Sequence, residues 1–505
     1  MANMKQKRRR IDLNEKFQRA LDIMENTAGS VFVTGRAGTG KSTLLSYFCQ
    51  TTRKKVAVLA PTGVAALNVK GQTIHSFFRF KPNITVETVK RLRFEDSEDN
   101  IYRKLDAIVI DEISMVRADL LDCVDKFLRL NGPATRKPFG GVQMIFIGDL
   151  YQLPPVVAGS ERTVFRSLYD TPYFYSAKVF GSFEMDFVEL EKVYRQQDEK
   201  FIGLLNSIRN KTISEEGLEL FNQRYLPQFE PPPGELYIYL TTTNDLAEQV
   251  NSRRLEKLPG DLYAVTATIK GKFGKEYLPT AVELQLRTGA QVMMLNNDAG
   301  GRWVNGSIGE IAGIVRHNSG EQVYNFFVEG GQLQSEAVGK FTQYPLMLAW
   351  AVTIHKSQGK TFDRVIVDFG RGTFAHGQAY VALSRCTSLE GVVLAKPLLK
   401  KHIWMDFNVV SFLTKYQYSK AEQSCPLDNK VEMIERAIKN RTALKIVYLK
   451  PSDEKSKRVI KPQTIGEMEY QGKTYLGMHA FCMERNEDRN FRVDRILEIE
   501  ETGKT

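Results

Sequence analysis

The stretch SVFVTGRAGTGKST, residues 30–43, decides the fold of the first part of this chain. The run Val31–Thr34 predicts a short strand, and the pattern Gly35-x-x-x-x-Gly40-Lys41-Ser42 follows it directly and opens a predicted helix. Glycines let backbone N–H groups turn inward around phosphate oxygens, and the start of the helix adds the positive end of its dipole. The stretch therefore predicts a phosphate-binding loop.

The side chains of this loop have expected parts in binding ATP and Mg²⁺. Lys41 is expected to reach the β- and γ-phosphates, and the Ser42 hydroxyl is expected to coordinate Mg²⁺. The nucleotide-binding residues predicted from the loop are Gly35, Gly38, Thr39, Gly40, Lys41, Ser42 and Thr43. The alternative is a tight glycine turn with a chance Lys-Ser pair, which the agreement of strand, spacing and helix disfavours.

Two further strand ends supply groups that hydrolysis requires. In AIVIDEISM (107–115), four apolar residues precede Asp111 and Glu112, and ligand chemistry in open parallel sheets lies at such carboxyl ends. Asp111 is expected to hold Mg²⁺ through water, and Glu112 is expected to polarise the attacking water. In IGDLYQLPP (147–155), the Gln152 amide is expected to face the γ-phosphate. Taken alone, the paired acids could be a helix cap, and the last motif could be a turn that ends at proline.

The composition limits the class of protein. The chain has 505 residues, of which 42% are apolar, so we expect two to four domains with real cores. Its net charge of +11 permits a polyanionic partner, although solvated lysines explain the charge equally well. Five scattered cysteines without a CxxC pair argue against a zinc site or a disulfide framework and suit a reducing cytosol or nucleoid. No run of 18 apolar residues predicts a membrane span, and the basic N-terminus lacks the apolar segment of a secretory signal.

Strand and helix signals alternate over much of the chain, which predicts parallel sheets covered by helices on both faces. The segment Pro231–Gly234 interrupts this pattern before a second alternating region begins. Short strands with glycine-rich turns between about 270 and 342 predict a small inserted β-barrel, and short strands return after residue 440. The predicted fold class is therefore α/β, with additional small β domains.

A set of spaced motifs is more specific than the phosphate loop alone. The motifs are APTGVAA (60–66), GQTIHSFF (71–78), IDEISM (110–115), KPFGGVQMIFIGDLYQLPP (137–155), EKVYRQ (191–196), AVTIHKSQGKT (351–361) and YVALSRC (380–386). In this order, they resemble the superfamily-one DNA helicases of the RecD-like group, in particular the petite-integration-frequency (PIF) family, over about residues 10–405. The resemblance implies an ATP-dependent helicase that moves 5′ to 3′ on single-stranded DNA and unwinds tailed duplexes. It names no protein partner.

The resemblance also implies two RecA-like domains with ATP between them. The predicted division of the chain is 1–180 for the first RecA-like domain with a wedge at about 75–100, 181–269 with 343–405 for the second, 270–342 for the inserted barrel, 406–439 for a linker and 440–505 for a C-terminal barrel.

Several residues outside the phosphate loop receive functions from the same resemblance. Arg195 and Arg385 are implied as cations that reach the phosphates from the second domain when the cleft closes, although each alone could be a surface ion pair. The implied DNA-binding residues are Thr62, Gly63, His75, Phe77, Thr353, His355, Lys356 and Ser357. Small donors, a few cations and aromatic faces suit a single strand of any sequence. The family often carries an adenine-reading glutamine where this chain has Phe17, with Gln18 one position later.

The end of the chain resembles a WYL domain, a small β-barrel. The ending RNFRVDRI (489–496) is kept, but Thr474 replaces the tryptophan of the Trp-Tyr-Leu triplet. We expect this domain to bind single-stranded DNA and to tune the motor through Tyr475, Arg485, Arg489, Arg492 and Arg495. The alternative is a purely structural barrel with solvated arginines.

Two other functions fit parts of the sequence. One is a DNA-stimulated translocase that displaces proteins without unwinding, and the other is a ligand-responsive DNA-binding regulator built around the WYL-like domain. Stimulation of ATP hydrolysis by single-stranded DNA would discriminate the motor proteins from the regulator.

Overall fold

The computed structural model divides into two compact units, residues 1–205 with 215–404 and residues 206–214 with 405–505. It describes residues 13–81, 83–93, 100–157, 159, 161–271, 278, 280–296, 302–303, 305–313, 320–329, 332–370, 372–451, 453–470 and 472–502. The predicted wedge at about 75–100 and the predicted inserted barrel at 270–342 lie partly outside these residues. Within the described ranges, no helix has the length and apolar character needed to cross a membrane.

Six parallel strands form the sheet that carries the phosphate loop. They are β1 (Val31–Gly35), β2 (Val56–Ala60), β3 (Gln72–Thr73), β4 (Ala107–Ile110), β5 (Gln143–Ile147) and β6 (Asp186–Leu190). Their order is β3-β2-β4-β5-β1-β6, and β1, β4 and β5 are buried along their whole length, as expected when helices cover both faces. Because β6 pairs with β1, the first sheet extends to Leu190, beyond the predicted domain boundary at residue 180.

Helices connect and accompany the strands of this sheet. They are α1 (Glu15–Asn26), α2 (Lys41–Thr51), α3 (Gly63–Asn68), α4 (Ile74–Phe77), α5 (Ala118–Asn131) and α6 (Arg162–Leu168). The Asn14 side chain caps α1 by accepting a hydrogen bond from the Phe17 N–H at 3.0 Å. One face of α1 then packs into the core with Leu44 and Phe48 of α2.

A second parallel sheet has four strands. They are β7 (Ile238–Thr241), β16 (Ala351–Thr353), β17 (Val365–Asp368) and β18 (Val392–Leu394), in the order β16-β7-β17-β18. The helices of this region are α7 (Glu199–Arg209), α8 (Glu215–Asn222), α9 (Asn244–Glu256) and α10 (Gln378–Leu383). Two parallel sheets with helices confirm the predicted α/β fold class.

Short antiparallel strands interrupt the second sheet between β7 and β16. They are β8 (Tyr263–Thr266), β9 (Thr268–Gly271), β10 (Glu283–Leu286), β11 (Gln291–Met294), β12 (Ile308–Glu310), β13 (Gly320–Glu329), β14 (Gln332–Thr342) and β15 (Leu346–Leu348). They pair as β10-β8, β12-β11-β15 and β13-β14-β9. The described part of the insertion therefore begins at Tyr263 and ends at Leu348, and it is wider than the predicted range 270–342.

The described part of residues 405–505, in the second unit, forms two helices and one antiparallel sheet. Its elements are α11 (Phe407–Ser424), α12 (Leu427–Asn440), β19 (Leu444–Leu449), β20 (Lys455–Tyr470), β21 (Lys473–Cys482), β22 (Glu487–Arg492) and β23 (Ile496–Glu501). The strand order is β22-β21-β20-β19-β23. Ile434 and Ala437 of α12 share a core with Ile446 and Met478, so the predicted linker at 406–439 is helical and its second helix belongs to the small domain.

The register of the first sheet brings the ends of its strands together. Val33 of β1 lies beside Ile147 of β5, and Phe146 of β5 lies beside Ile110 of β4. The phosphate loop, the Asp111-Glu112 pair and the segment after β5 consequently leave the sheet at one edge, as the sequence predicted from parallel strands.

Candidate nucleotide and nucleic-acid sites

The phosphate loop connects β1 to α2 and is closed by the lysine that opens the helix. The Lys41 ammonium donates hydrogen bonds to the carbonyl oxygens of Gly35 at 2.7 Å and Arg36 at 3.1 Å. Gly38 has a φ of +81°, and a Cβ added there would lie 2.5 Å from the Cβ of Arg195. A side chain at position 38 would therefore separate the loop from the segment after β6.

Two carboxylates lie opposite Lys41 and are poorly solvated. Desolvation and the adjacent Glu112 charge raise the pKa of Asp111 to about 7, and desolvation also raises the pKa of Glu112. Desolvation lowers the pKa of Lys41, while Asp149 and Glu112 oppose this shift. Glu112 also has a left-handed backbone (φ 50°, ψ 42°), which is a strained conformation often found at functional sites. The site therefore holds more negative charge than Lys41 alone compensates.

These residues fit a bound Mg²⁺ nucleotide. Two desolvated carboxylates gain from a divalent cation, and the exposed Ser42 hydroxyl lies at the start of α2 next to Lys41. In the part of the chain that the structure describes, no group of three His, Cys, Asp or Glu side chains forms a metal site of its own. This donor set is typical of Mg²⁺ that is held by one or two protein ligands together with substrate phosphates.

A cavity of about 450 Å³ opens over the loop. It is lined by Phe17, Ala37, Gly38, Thr39, Gly40, Lys41, Ser42, Thr43, Glu112, Gln152, Tyr194, Arg195, Gly359 and Arg385. The phosphate loop, Glu112, Gln152 and both predicted arginines thus meet at one cavity. Asp111 is not among the lining residues, but its charge acts on Lys41 and opposes the lowering of that lysine's pKa by desolvation. Gln152 is buried and donates to Asp149 at 3.2 Å, which orients its amide.

The side of the cavity next to α1 is aromatic. Phe17 and Tyr194 line it, and the Tyr194 hydroxyl accepts a hydrogen bond from the Asn14 amide at 3.1 Å. Gln18 instead donates to the Leu13 carbonyl at 2.8 Å and is not among the lining residues. Rings rather than the Gln18 amide therefore line this side of the cavity. Sequence reasoning missed Tyr194, although it lies within the EKVYRQ motif.

The two predicted arginines reach the cavity from different directions. Arg385 follows α10, is 1% exposed and donates to the Val381 carbonyl at 2.9 Å. Desolvation and the nearby Arg195 lower the pKa of Arg385 to about 9. Arg195 comes from the connection after β6 rather than from the second sheet, and it donates to the Ser384 carbonyl at 3.0 Å. The expectation that both come from the second domain therefore holds for Arg385 only.

Side chains of three further residues make hydrogen bonds around the cavity, and the sequence did not single out these residues. The Tyr380 hydroxyl accepts a hydrogen bond from the Ala37 N–H of the phosphate loop at 2.8 Å. The buried Gln196 donates to the carbonyls of Ser384 and Cys386 at 3.1 and 2.9 Å. His376 lies 3.0 Å from the Leu150 carbonyl. Tyr380 and Gln196 stand inside quoted motifs, so the motifs were the available signal.

The predicted DNA-binding residues separate into an accessible group and a buried group. Lys356 and Thr62 are exposed, and His75 and His355 are half-buried. The Thr62 hydroxyl accepts from the Ala65 N–H at 3.3 Å at the start of α3, the helix in which Gly63 is the buried first residue. Burial lowers the pKa of both histidines. These accessible positions agree with contacts to a polyanion.

Phe77, Thr353 and Ser357 are buried instead. Phe77 is 4% exposed, and its ring lies 5.5 Å from that of Tyr102. The Thr353 hydroxyl accepts from the Lys356 N–H at 3.3 Å, and the Ser357 hydroxyl donates to the Ile354 carbonyl at 2.7 Å. We therefore revise the prediction for these three: their side chains shape the loops rather than offer a ring or a hydroxyl at the surface.

The arginines of the C-terminal domain are partly neutralised. Arg492 lies over the Tyr475 ring at 5.0 Å and donates to the Asp494 carboxylate at 2.6 Å. Arg489 forms an ion pair with Glu487. Arg485 is exposed, and Arg495 is half-buried. Of the predicted aromatic and cationic patch, the structure places Arg492 at the Tyr475 ring, and the DNA-binding function of the patch stays a prediction.

Comparisons with known proteins agree with this geometry. Residues 12–218 match the PIF1-like helicase family, and residues 429–501 match the WYL domain. The ATP-dependent DNA helicase Pif1 of Bdellovibrio bacteriovorus is 32% identical over 402 residues, covering 76% of this chain and 88% of that protein. The ATP-dependent DNA helicase PIF1 of Rattus norvegicus is 35% identical over 385 residues and covers 72% of this chain. The chain spans 58% of the length of the rat protein.

Solved structures show the same similarity in three dimensions. Bacteroides sp Pif1 in complex with ADP-AlF4 superimposes with a TM-score of 0.74 at 35% identity, covering 81% of this chain and 97% of the Bacteroides chain. Bacteroides Pif1 bound to single-stranded DNA has a TM-score of 0.61 at 35% identity, with the same coverage of both chains.

Proposed function

The chain belongs to the PIF1-like helicase family, and from this membership and the geometry of the cavity we propose that it is an ATP-dependent DNA helicase that moves 5′ to 3′ on single-stranded DNA. The observation that carries the proposal is the cavity in which the phosphate loop, Glu112, Gln152, Arg195 and Arg385 meet. A phosphate site closed by two arginines suits hydrolysis that depends on domain closure.

The residues of the cavity have distinct parts in this proposal. Lys41 would exchange the carbonyls of Gly35 and Arg36 for phosphate oxygens, and Ser42 and Asp111 would hold Mg²⁺. When bound, Mg²⁺ supplies neutralising charge on the β- and γ-phosphates. Glu112 would take the proton of the attacking water.

The two arginines and Gln152 would respond to the γ-phosphate. The Arg385 Nε–H is held by the Val381 carbonyl, whereas the contacts of its terminal nitrogen with the carbonyls of Ser357 and Lys360 are long, at 3.5 and 3.4 Å, so this nitrogen would lose little by turning to a phosphate. Arg195 and Gln196 both donate hydrogen bonds to the Ser384 carbonyl. Because Arg385 directly follows Ser384, a movement of either arginine would displace the other. Because Tyr380 bonds to the phosphate loop itself, binding at the loop would be transmitted to α10.

Single-stranded DNA and tailed duplexes are the proposed partners. Solved relatives of 35% identity include one bound to single-stranded DNA, and the accessible Lys356, His75 and His355 offer a cation and rings. The free thiols at all five cysteines fit a reducing cytosol, which is the proposed location.

Unwinding of tailed duplexes tests the proposal. A duplex with a 5′ single-stranded tail should be opened in the presence of ATP and Mg²⁺, and one with only a 3′ tail should not. Equal or reversed preference would contradict the direction of movement. ATP hydrolysis that single-stranded DNA stimulates, without opening of either duplex, would favour the translocase that only displaces proteins. Hydrolysis that DNA does not stimulate would contradict both motors.

A further inference from the structure

One large aromatic side chain stands in solvent beside the predicted DNA contacts without a part in the functions assigned above. Phe374 is 58% exposed, in the connection between β17 and α10. Its ring lies nearly parallel to that of His355, with the planes 13° apart and the centroids 6.3 Å apart. This geometry falls in the range of offset-stacked rings. Lys356, the residue after His355, is exposed as well.

The backbone under Phe374 is fixed, although its ring is exposed. Its N–H donates to the Gln378 side-chain oxygen at 2.9 Å, and the Ala375 N–H donates to the same oxygen at 3.3 Å. Gln378 itself is fully buried. On the other side, the buried Thr373 hydroxyl donates to the His402 carbonyl at 2.9 Å. The ring is therefore presented on a rigid support, which reduces the entropy lost when a flat ligand binds.

The backbone that carries the neighbouring His355 ring is also held in place. The His355 carbonyl accepts from the Gln358 N–H at 3.2 Å, and the Thr353 hydroxyl holds the next N–H, that of Lys356. Burial lowers the pKa of His355, which favours the neutral form of its imidazole. A neutral ring can stack on a base, while Lys356 supplies charge for the adjacent phosphate.

We propose that Phe374 and His355 together form a stacking site for one base of the bound single strand, with Lys356 contacting the phosphate beside it. The occupant follows from the chemistry: rings with one cation suit a nucleotide, and every base offers a π face, so the site accepts any sequence. The inference rests on the proposed function, namely that the chain binds single-stranded DNA. It adds Phe374, which lies outside every motif quoted above, to the residues that contact the strand.

Equilibrium binding of a fluorescent oligo-dT to the full chain, without nucleotide and at one fixed salt concentration, tests the site. Stacking on an aromatic side chain contributes about 1–3 kcal/mol per base, so Phe374→Leu, which keeps bulk but removes the ring, should weaken binding about 5- to 140-fold. Phe374→Trp should bind as tightly as the original chain. Tyr225→Leu is the matched control because Tyr225 is 37% exposed and lies beside β18, at the opposite edge of the second sheet from β16, the strand that precedes His355. It should change neither binding nor ATP hydrolysis, and thermal melting checks that each variant folds.

A scan of abasic sites locates the base. The junction of a 5′-tailed duplex fixes the register, and a single abasic nucleotide is moved along the tail. In the original chain, one position should weaken binding about as much as Phe374→Leu does, and in Phe374→Leu that position should cause no further loss because both changes remove the same contact.

The outcomes separate the two proposals. If the original chain binds the strand but Phe374→Leu binds equally well and keeps the same abasic profile, the stacking site is refuted and the helicase proposal stands. A loss in Phe374→Leu that Phe374→Trp does not restore also refutes stacking. If the original chain does not bind single-stranded DNA at low salt, the helicase proposal itself fails, and the stacking site fails with it.

Discussion

Gly377, the residue that caps the start of α10, offers a test of how the two sheets meet over the nucleotide. Its φ is +75°, and an added Cβ would lie less than 3.0 Å from the carbonyl oxygens of both Tyr151 and Gln152. Ordinary contact begins at 3.4 Å, so Gly377→Ala must move α10 away from the segment after β5 by at least 0.4 Å (3.4 less 3.0). The residues that would move with α10 are Tyr380 and Arg385.

The expected loss of activity follows from that displacement. A misplacement of about 1 Å can cost about 100-fold in rate, so a shift of 0.4 Å or more should lower the DNA-stimulated kcat about 5- to 100-fold. Affinity for nucleotide should fall much less, because Lys41 and the backbone of the phosphate loop belong to the first sheet and not to α10, although the Tyr380 contact with Ala37 would be weakened. Gly234→Ala is the matched control, since Gly234 has a φ of +81° with open space around the added Cβ. Both variants carry the cost of a left-handed alanine, about 1–2 kcal/mol.

Steady-state ATP hydrolysis at saturating single-stranded DNA measures kcat, and binding of a fluorescent ATP analogue measures affinity. Thermal melting shows the backbone strain that both variants share. If Gly377→Ala hydrolyses ATP as fast as Gly234→Ala, the contact between α10 and the segment after β5 is not part of the catalytic arrangement, and our account of the closed cleft is refuted.

Three other predictions concern separate parts of the chain. Lys41→Ala should abolish hydrolysis by removing the cation that binds the phosphates. Glu112→Gln should bind ATP but lose about 10²–10⁴-fold in turnover relative to the original chain. Near-normal turnover in Glu112→Gln would show that Glu112 is not the base. Chelation of Mg²⁺ should stop hydrolysis, and added Mg²⁺ should restore it; hydrolysis that persists in EDTA would contradict the metal site. Arg492→Ala should weaken DNA binding modestly at low salt. Arg489→Ala should weaken it less, because the ion pair of Arg489 with Glu487 is exposed. Equal binding by both variants and the original chain would favour a purely structural C-terminal domain.

The nucleotide site could be predicted from the sequence because its chemistry restricts local residue types. A phosphate loop requires small residues at fixed spacing, and the carboxylates of such sites follow buried strands. Gly38, Lys41 and Glu112 could therefore be predicted from individual motifs. The structure places Gly38, Lys41, Glu112 and Gln152 around one cavity. The contact of Tyr380 with Ala37 could not be predicted from the sequence, because it joins residues that are distant along the chain.

The DNA-contacting side chains were harder to predict because the sequence does not state burial. Phe77 and Ser357 have side chains that suit DNA binding. The Phe77 ring is buried in the core, however, and the Ser357 hydroxyl donates a hydrogen bond within its own loop. The boundary at residue 180 was hard to place for a similar reason: β6 pairs with β1 across a long separation, and the sequence near residue 180 does not indicate this pairing. The polar composition of 406–439 suggested a linker, whereas α12 has an apolar face that packs on the small sheet.

The connection from β17 through α10 shows how binding of DNA and of ATP can be linked without a separate hinge. Phe374 lies beside His355 on the proposed DNA side, and Gln378 ties its backbone to the start of α10. Two residues later, Tyr380 bonds to the phosphate loop, and Arg385 ends in the cavity. Since α10 has only six residues and is buried throughout, it moves as a rigid body, so a displacement at either end reaches the other. Gly377→Ala should therefore weaken the effect of single-stranded DNA on hydrolysis as well as the rate itself, and a variant that is slow but still fully stimulated would show that the two sites communicate by another route.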